Sequence, residues 1–226
     1  CLAPMLATAQ IDGIVKDSVT GKPIPYVAIR TVKNMFGVSA AKDGSFTIPR
    51  TERSETFEFS VSGYQPKKIS NITEQNIVLM SRANPQQRTN PQFKKQNKNV
   101  TGEIPVEYDQ TQTSSFFSKP AILAKYFPSL SRYDETPYVN AVMVYVLSKV
   151  QGATYKIRIF EADENGAPAK DLLDQDIIAH AELGEKPARI DISGFGIKML
   201  ENGIVIGVES IITAENTAEI SWKTDN

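Results

Sequence analysis

Over residues 11–80 apolar positions come in short runs, each closed by a turn. Thr56 to Val61 shows the rule: Phe57, Phe59 and Val61 fall on one face, Glu58 and Ser60 on the other. A period of two is the mark of a strand buried on one side. Seven runs of this kind are read: 11–17, 26–32, 38–41, 45–48, 56–61, 65–69 and 76–80. Lys42-Asp43-Gly44 between the third and fourth is an Asp-Gly hairpin signal. Pro23 and Pro25 fix φ and lack donors, so the second strand should begin at or just after Pro25. Strands spaced by roughly ten residues with turn chemistry between them predict a sandwich or barrel. Phe46, Phe57, Phe59 and Tyr64 are its expected core.

The pattern then stops. Residues 81–99 hold one aromatic, Phe93, and no aliphatic larger than Ala83. Such a segment cannot bury enough apolar surface to offset the entropy of ordering it, so it reads as a linker. Its basic character suits a solvated tether better than an anionic surface.

Beyond it, 115–127 is ambiguous between strand and short helix. Tyr138 to Leu147 is apolar on both faces and predicts a central strand covered on both sides. Tyr155, Ile157 and Ile159 alternate with Lys156 and Arg158, which predicts a half-buried strand. Asp163 to Pro168 is a turn, and 177–183, 188–192, 204–209 and 218–222 supply further strands. The expected fold class is all-β: an N-terminal seven-stranded Greek-key sandwich at 11–80, a linker at 81–114 and a jelly-roll-like sandwich at 115–226.

Composition narrows the partners. The 226 residues carry a net charge of -1 with no Lys/Arg block, so no electrostatic footprint for nucleic acid is present. No apolar run reaches the ~18 residues of a membrane-spanning helix. Cys1 is the only cysteine, so an internal disulfide and a Cys-based zinc cluster are excluded. Residues 1–10 are apolar, then small, and Ala7-Thr8-Ala9 has the form of a signal-peptidase site. They read as the remnant of an export signal. An acylated Cys1, giving a lipid anchor, and a plain disordered or β-paired terminus are the alternatives.

Taken in order, Gly13-x-Val15-x-Asp17, Thr20-Gly21-x-Pro23-Ile24-Pro25, Asp43-Gly44-x-Phe46 and Ser62-Gly63-Tyr64 resemble the carboxypeptidase-regulatory-like domain, a transthyretin-like sandwich. This version resembles the one in exported proteins of the Bacteroidota, including the N-terminal extensions of TonB-dependent receptors. Residues 115–212 are similar to a region that follows this domain in uncharacterised proteins of those bacteria. That likeness is carried by Ile157-x-Ile159-Phe160-Glu161, Asn165-Gly166-x-Pro168-x-x-Asp171-Leu172-Leu173, Asp191-Ile192-Ser193 and Gly207-Val208-Glu209. The resemblance implies export and a non-catalytic accessory role, and it brings no catalytic residues. This sequence has no run of barrel strands such as a receptor needs.

Candidate chemistry is sparse. His180 is the only histidine, with Glu182 two positions on, which in a strand puts both on one face, exposed to solvent. One His and one Glu leave a zinc site short of ligands. Asp171, Asp174 and Asp176 form the densest carboxylate group, with Asp163, Asn165 and Gly166 in a turn that could meet them across a hairpin. Solvated loop acids are the favoured reading and a structural cation the other. Ser193-Gly194-Phe195-Gly196 is no nucleophile elbow. Paired carboxylates for glycoside cleavage stay open, although most acids sit in turns or alternate outward. Tyr126, Phe127, Tyr133, Tyr138 and Trp222 are candidates for an aromatic sugar platform. No catalytic, cofactor or metal site is expected. The expected function is a non-enzymatic exported envelope module with a protein partner; the alternative is a carbohydrate-binding module using the C-terminal sandwich.

Overall fold

The computed structural model describes residues 10–33, 36–49, 55–70, 72, 76–83 and 119–217. The predicted signal segment, most of the linker and the predicted 218–222 strand with Trp222 lie outside the described residues. The chain divides into two compact units. The first comprises Cys1–Pro85 with Ser115–Pro120 and Ile211–Thr213; the second comprises Gln86–Ser114, Ala121–Ser210 and Ala214–Asn226.

The first unit holds β1 (Gln10–Asp17), β2 (Ala28–Thr31), β3 (Gly37–Ser39), β4 (Ser45–Pro49), β5 (Thr56–Ser60), β6 (Lys67–Ser70) and β7 (Asn76–Met80). All seven expected runs form strands. They build two sheets, β4-β1-β7 and β3-β2-β5-β6. β1 pairs antiparallel with β4 and parallel with β7, so the first and last strands of the domain are neighbours.

Inward alternation fills the space between the sheets. Ile11, Val15, Ile29, Ile48, Phe57, Phe59 and Val78 are buried, and the Phe46 and Phe59 rings meet edge-on at 5.6 Å. Tyr64 is only partly buried. β2 starts later than the prolines suggested because Tyr26 sits at φ 54, a left-handed conformation that delays extension to Ala28. The Asp43–Gly44 turn forms as expected. Asp43 Oδ1 accepts the Ser45 N–H at 2.9 Å, and Gly44 takes φ 79. A Cβ at Gly44 would lie 2.8 Å from the Val15 carbonyl, so turn and packing both require glycine.

The second unit holds β8 (Ile122–Phe127), β9 (Ala141–Ser148), β10 (Thr154–Ala162), β11 (Pro168–Asp171), β12 (Ile177–His180), β13 (Gly184–Asp191) and β14 (Ile204–Ser210). Five strands form one sheet in the order β11-β10-β14-β8, with β12 also on β10, and β13-β9 form a second. The structure is all-β, a sandwich in each unit, and the described residues contain no α-helix. Of the ambiguous 115–127 region, Ile122–Phe127 forms strand β8, and 115–118 lie outside the described residues. The run predicted at 177–183 splits at His180, and Gly184 at φ 87 opens β13.

Two strand readings are corrected. β9 is not covered on both faces. Val142, Val144 and Val146 join the core, while Met143, Tyr145 and Leu147 point out and are 49, 40 and 51% exposed. β10, read as half-buried, is buried on both faces. Tyr155, Ile157 and Ile159 enter the core, and Lys156 and Arg158 on the other face are only 1 and 7% exposed.

Candidate functional site

The buried cations of β10 are held by carboxylates from three other segments. Arg158 Nη1 donates to Glu209 Oε2 at 2.6 Å, and Nη2 donates to Asp171 Oδ2 at 2.7 Å. Lys156 Nζ lies 2.9 Å from Asp176 Oδ2. Register explains the convergence. Lys156 stands opposite Glu209, Arg158 opposite Gly207, and Phe160 opposite Asp171. Burial opposes the guanidinium's charge, but Glu209 and Asp171 outweigh it and hold the Arg158 pKa above its ordinary value.

This corrects the reading of Asp171 and Asp176 as solvated loop acids: they are counter-ions to buried cations. Glu209, 1% exposed, also departs from the expectation that acids alternate outward. Asp163 instead closes its own turn, its Oδ1 accepting the Asn165 and Ala167 N–H groups. Among the described residues no three His, Cys, Asp or Glu side chains gather as metal ligands. These ion pairs link β10 to β14, to β11 and to the segment before β12.

Of the five platform candidates, Trp222 lies outside the described residues, and the other four do not share one exposed face. Tyr133 is buried, and Phe127 packs against the core from the inner face of β8. Tyr126 is on the opposite face of the same strand, against Gly166 and Gly203. Tyr138 lies under the Lys198 ammonium at 5.1 Å. Ser193 and Phe195 belong to a 3-10 turn whose start is held by Asp191 Oδ1 on the Ser193 N–H.

His180 and Glu182 do come together, with partners sequence reading missed. They line a shallow groove of about 250 Å3 with Val146, Ala181, Lys186, Pro187, Ala188 and Arg189. β12 ends at His180 and β13 brings Lys186 to Arg189 alongside it. Thr154, in register with His180, places its Oγ1 3.3 Å from Nδ1. The signal for this groove was the charge spacing of β13 around Pro187.

In the first unit three of the residues that carried the resemblance, Asp17, Thr20 and Tyr64, meet at one buried carboxylate. Asp17 Oδ1 accepts the Val19 and Thr20 N–H groups at 2.9 Å each. The Tyr64 hydroxyl donates to Oδ2 at 2.9 Å and Arg82 Nε at 3.0 Å, with the guanidinium 5.0 Å over the Tyr64 ring. The Thr20 and Val19 N–H bonds, then the Tyr64 hydroxyl, pull the Asp17 pKa far below its ordinary 3.8, against the opposing effect of burial. A depressed folded pKa contributes stability that is present above 3.8 and lost as pH falls below it toward the folded value. Tyr64→Phe removes one donor and narrows that window. In an acid titration followed by urea melts, its first-unit midpoint is expected to fall below wild type at pH 6, where the hydrogen bond to a charged group is lost at a cost of about 1.5–3 kcal/mol. The difference should persist while pH falls through 3.8, because folded Asp17 stays ionised in both proteins, and should close only as pH approaches the depressed folded value. No gap at pH 6, or one already closed at about pH 4, would contradict it.

No curated protein matches the chain. Two solved structures align over most of it at very low similarity. One is a "putative carbohydrate binding protein" from Bacteroides uniformis, at 9% identity and TM-score 0.24, with 90% of each chain covered. The other is a DUF3823 family protein from Bacteroides ovatus, at 9% identity and TM-score 0.24, covering 91% of this chain and 100% of that one. Residues 11–90, which include the N-terminal sandwich, are matched by the model of the CarboxypepD_reg-like domain.

Proposed function

We propose that this protein is a non-enzymatic, exported accessory module that docks a protein partner through the outer face of β9 and β13. The observation that carries this reading is the row Met143, Tyr145 and Leu147, 49, 40 and 51% exposed, on a strand with no charge in its eight residues. Opposite them in register stand Arg189, Pro187 and Glu185, which give the apolar row a charged margin. Exposed apolar rows rimmed by polar residues mark protein contact surfaces, and an open uncharged strand is otherwise an aggregation hazard. Export, to the periplasm, outer membrane or cell surface, rests on the Ala7-Thr8-Ala9 segment and on the resemblance of residues 11–80.

The test is site-specific photocrosslinking in the native host. A photoreactive phenylalanine replacing Leu147 should give a discrete protein adduct in the envelope fraction. The same probe replacing Val19, an 86% exposed turn residue in the first unit, should not. Adding Met143→Asp to the Leu147 probe should remove the adduct. No adduct at 147, or equal adducts at 19, ends the proposal.

A further inference from the structure

The two buried cations of β10 meet their carboxylates in different ways. Arg158 aligns each Nη with its own acceptor, Glu209 or Asp171, as a hydrogen bond. Lys156 does not. Its Nζ lies 2.9 Å from Asp176 Oδ2, yet the contact lacks the alignment of a hydrogen bond. Both side chains are withdrawn from water, 1% exposed for Lys156 and 11% for Asp176. The pairing of β10 with β12 holds them together. Ile157 and Ile177 stand opposite each other in the core, and the residue before each, Lys156 or Asp176, falls on the other face. Glu209 is opposite Lys156 in register on β14, but its Oε2 is taken by Arg158. Asp176 is therefore the carboxylate that faces the lysine.

A primary amine fixed against a carboxylate and shielded from water is the arrangement from which an amide forms. Taking both charges out of water is unfavourable, and a misaligned contact offsets little of that penalty. Passing one proton from the Lys156 ammonium to the Asp176 carboxylate replaces two buried charges with a neutral amine and a neutral acid. A lysine is able to give up that proton, whereas an arginine is not. Holding the reacting groups together on paired strands replaces a bimolecular encounter, which for well-oriented groups equals an effective concentration of about 10⁵ M or more. We propose that Lys156 and Asp176 condense into an isopeptide bond joining β10 to the segment before β12. The Nζ lone pair attacks Asp176 Cγ; the Cγ–Nζ bond forms and one Cγ–O bond breaks. The second proton lost by Nζ goes to the departing hydroxyl, so one water is released and no co-reactant is needed. The partial exposure of Asp176 gives that water a way out. The product is an uncharged amide, which is less unfavourable to bury than an ion pair.

Mass spectrometry of the purified full chain, denatured before measurement, tests this. The intact mass should fall short of the sequence mass by one water. Trypsin should no longer cut after Lys156, and the Lys186–Pro187 bond resists it as well. The digest should therefore contain a branched peptide joining residues 150–158 to 171–189, with fragment ions placing the link on Lys156 and Asp176. Lys156→Arg keeps a cation beside Asp176 but brings no amine that condenses. That variant should show the full sequence mass and two separate peptides. A succinimide at Asp43–Gly44 also loses one water, but it maps to a different peptide and opens in mild alkali, which leaves an isopeptide intact. A wild-type chain at full sequence mass, a water loss that maps elsewhere or reverts in alkali, or a branched peptide persisting in Lys156→Arg would overturn the proposal. The wild-type mass decides alone, however well the variant folds.

Discussion

Phe59→Ala should unfold the N-terminal sandwich while leaving the C-terminal unit folded. The Phe59 ring is fully buried, stands edge-on to Phe46, and lies in the same strand as the equally buried Phe57. Truncating such a ring removes its transfer free energy and opens a cavity, a cost of about 3–5 kcal/mol. A domain this small has little excess stability to absorb it. At an m-value of about 2 kcal/mol/M, the urea midpoint should drop by roughly 2 M. Amide signals of β1 and β5 report the first unit, and the His180 ring reports the second as an internal control. A drop under about 0.5 M would show that Phe59 does not anchor this core.

Arg158→Met should be almost as damaging in the other unit. It leaves Glu209 and Asp171 without the guanidinium that both engage. Breaking a buried pair by removing one partner costs about 3–5 kcal/mol, because the remaining charge stays out of water. Replacing the pair together is a different matter, since a desolvated ion pair offers little net gain over apolar packing. Arg158→Met with Glu209→Leu should therefore recover much of the loss, leaving the partly exposed Asp171 to find solvent. The two variants are compared by thermal melts followed at the His180 ring. A single variant within about 1 kcal/mol of wild type, or a double variant worse than the single, would contradict the cluster's structural role.

The seven strands of the first domain were legible because each is announced locally. Alternation places Phe57 and Phe59 on one face, and Asp43-Gly44 states its own turn. β10 was legible as a strand but not in its burial. Lys156 and Arg158 look like a solvent face until Glu209, Asp171 and Asp176 arrive from later segments, and no local pattern encodes that pairing. β9 fails in the opposite way. Its apolar run says nothing about whether a second layer lies over Met143, Tyr145 and Leu147. β11 has no alternation of its own; it exists because the Asp163 turn returns the chain to β10. The groove was half legible: His180 and Glu182 stood out, but Lys186 and Arg189 join them only through the placement of β13.

The parallel pairing of β1 with β7 has a consequence for how this domain comes into being. β1 is the middle strand of its sheet, yet one of its two neighbours is the final strand made. A nascent chain that has emerged only as far as β6 holds a β1 with one flank open. Such a distant closure is slow and leaves an adhesive edge exposed meanwhile. Quality control during biogenesis thus has to bridge the interval until Asn76 to Met80 arrives and seals the sheet.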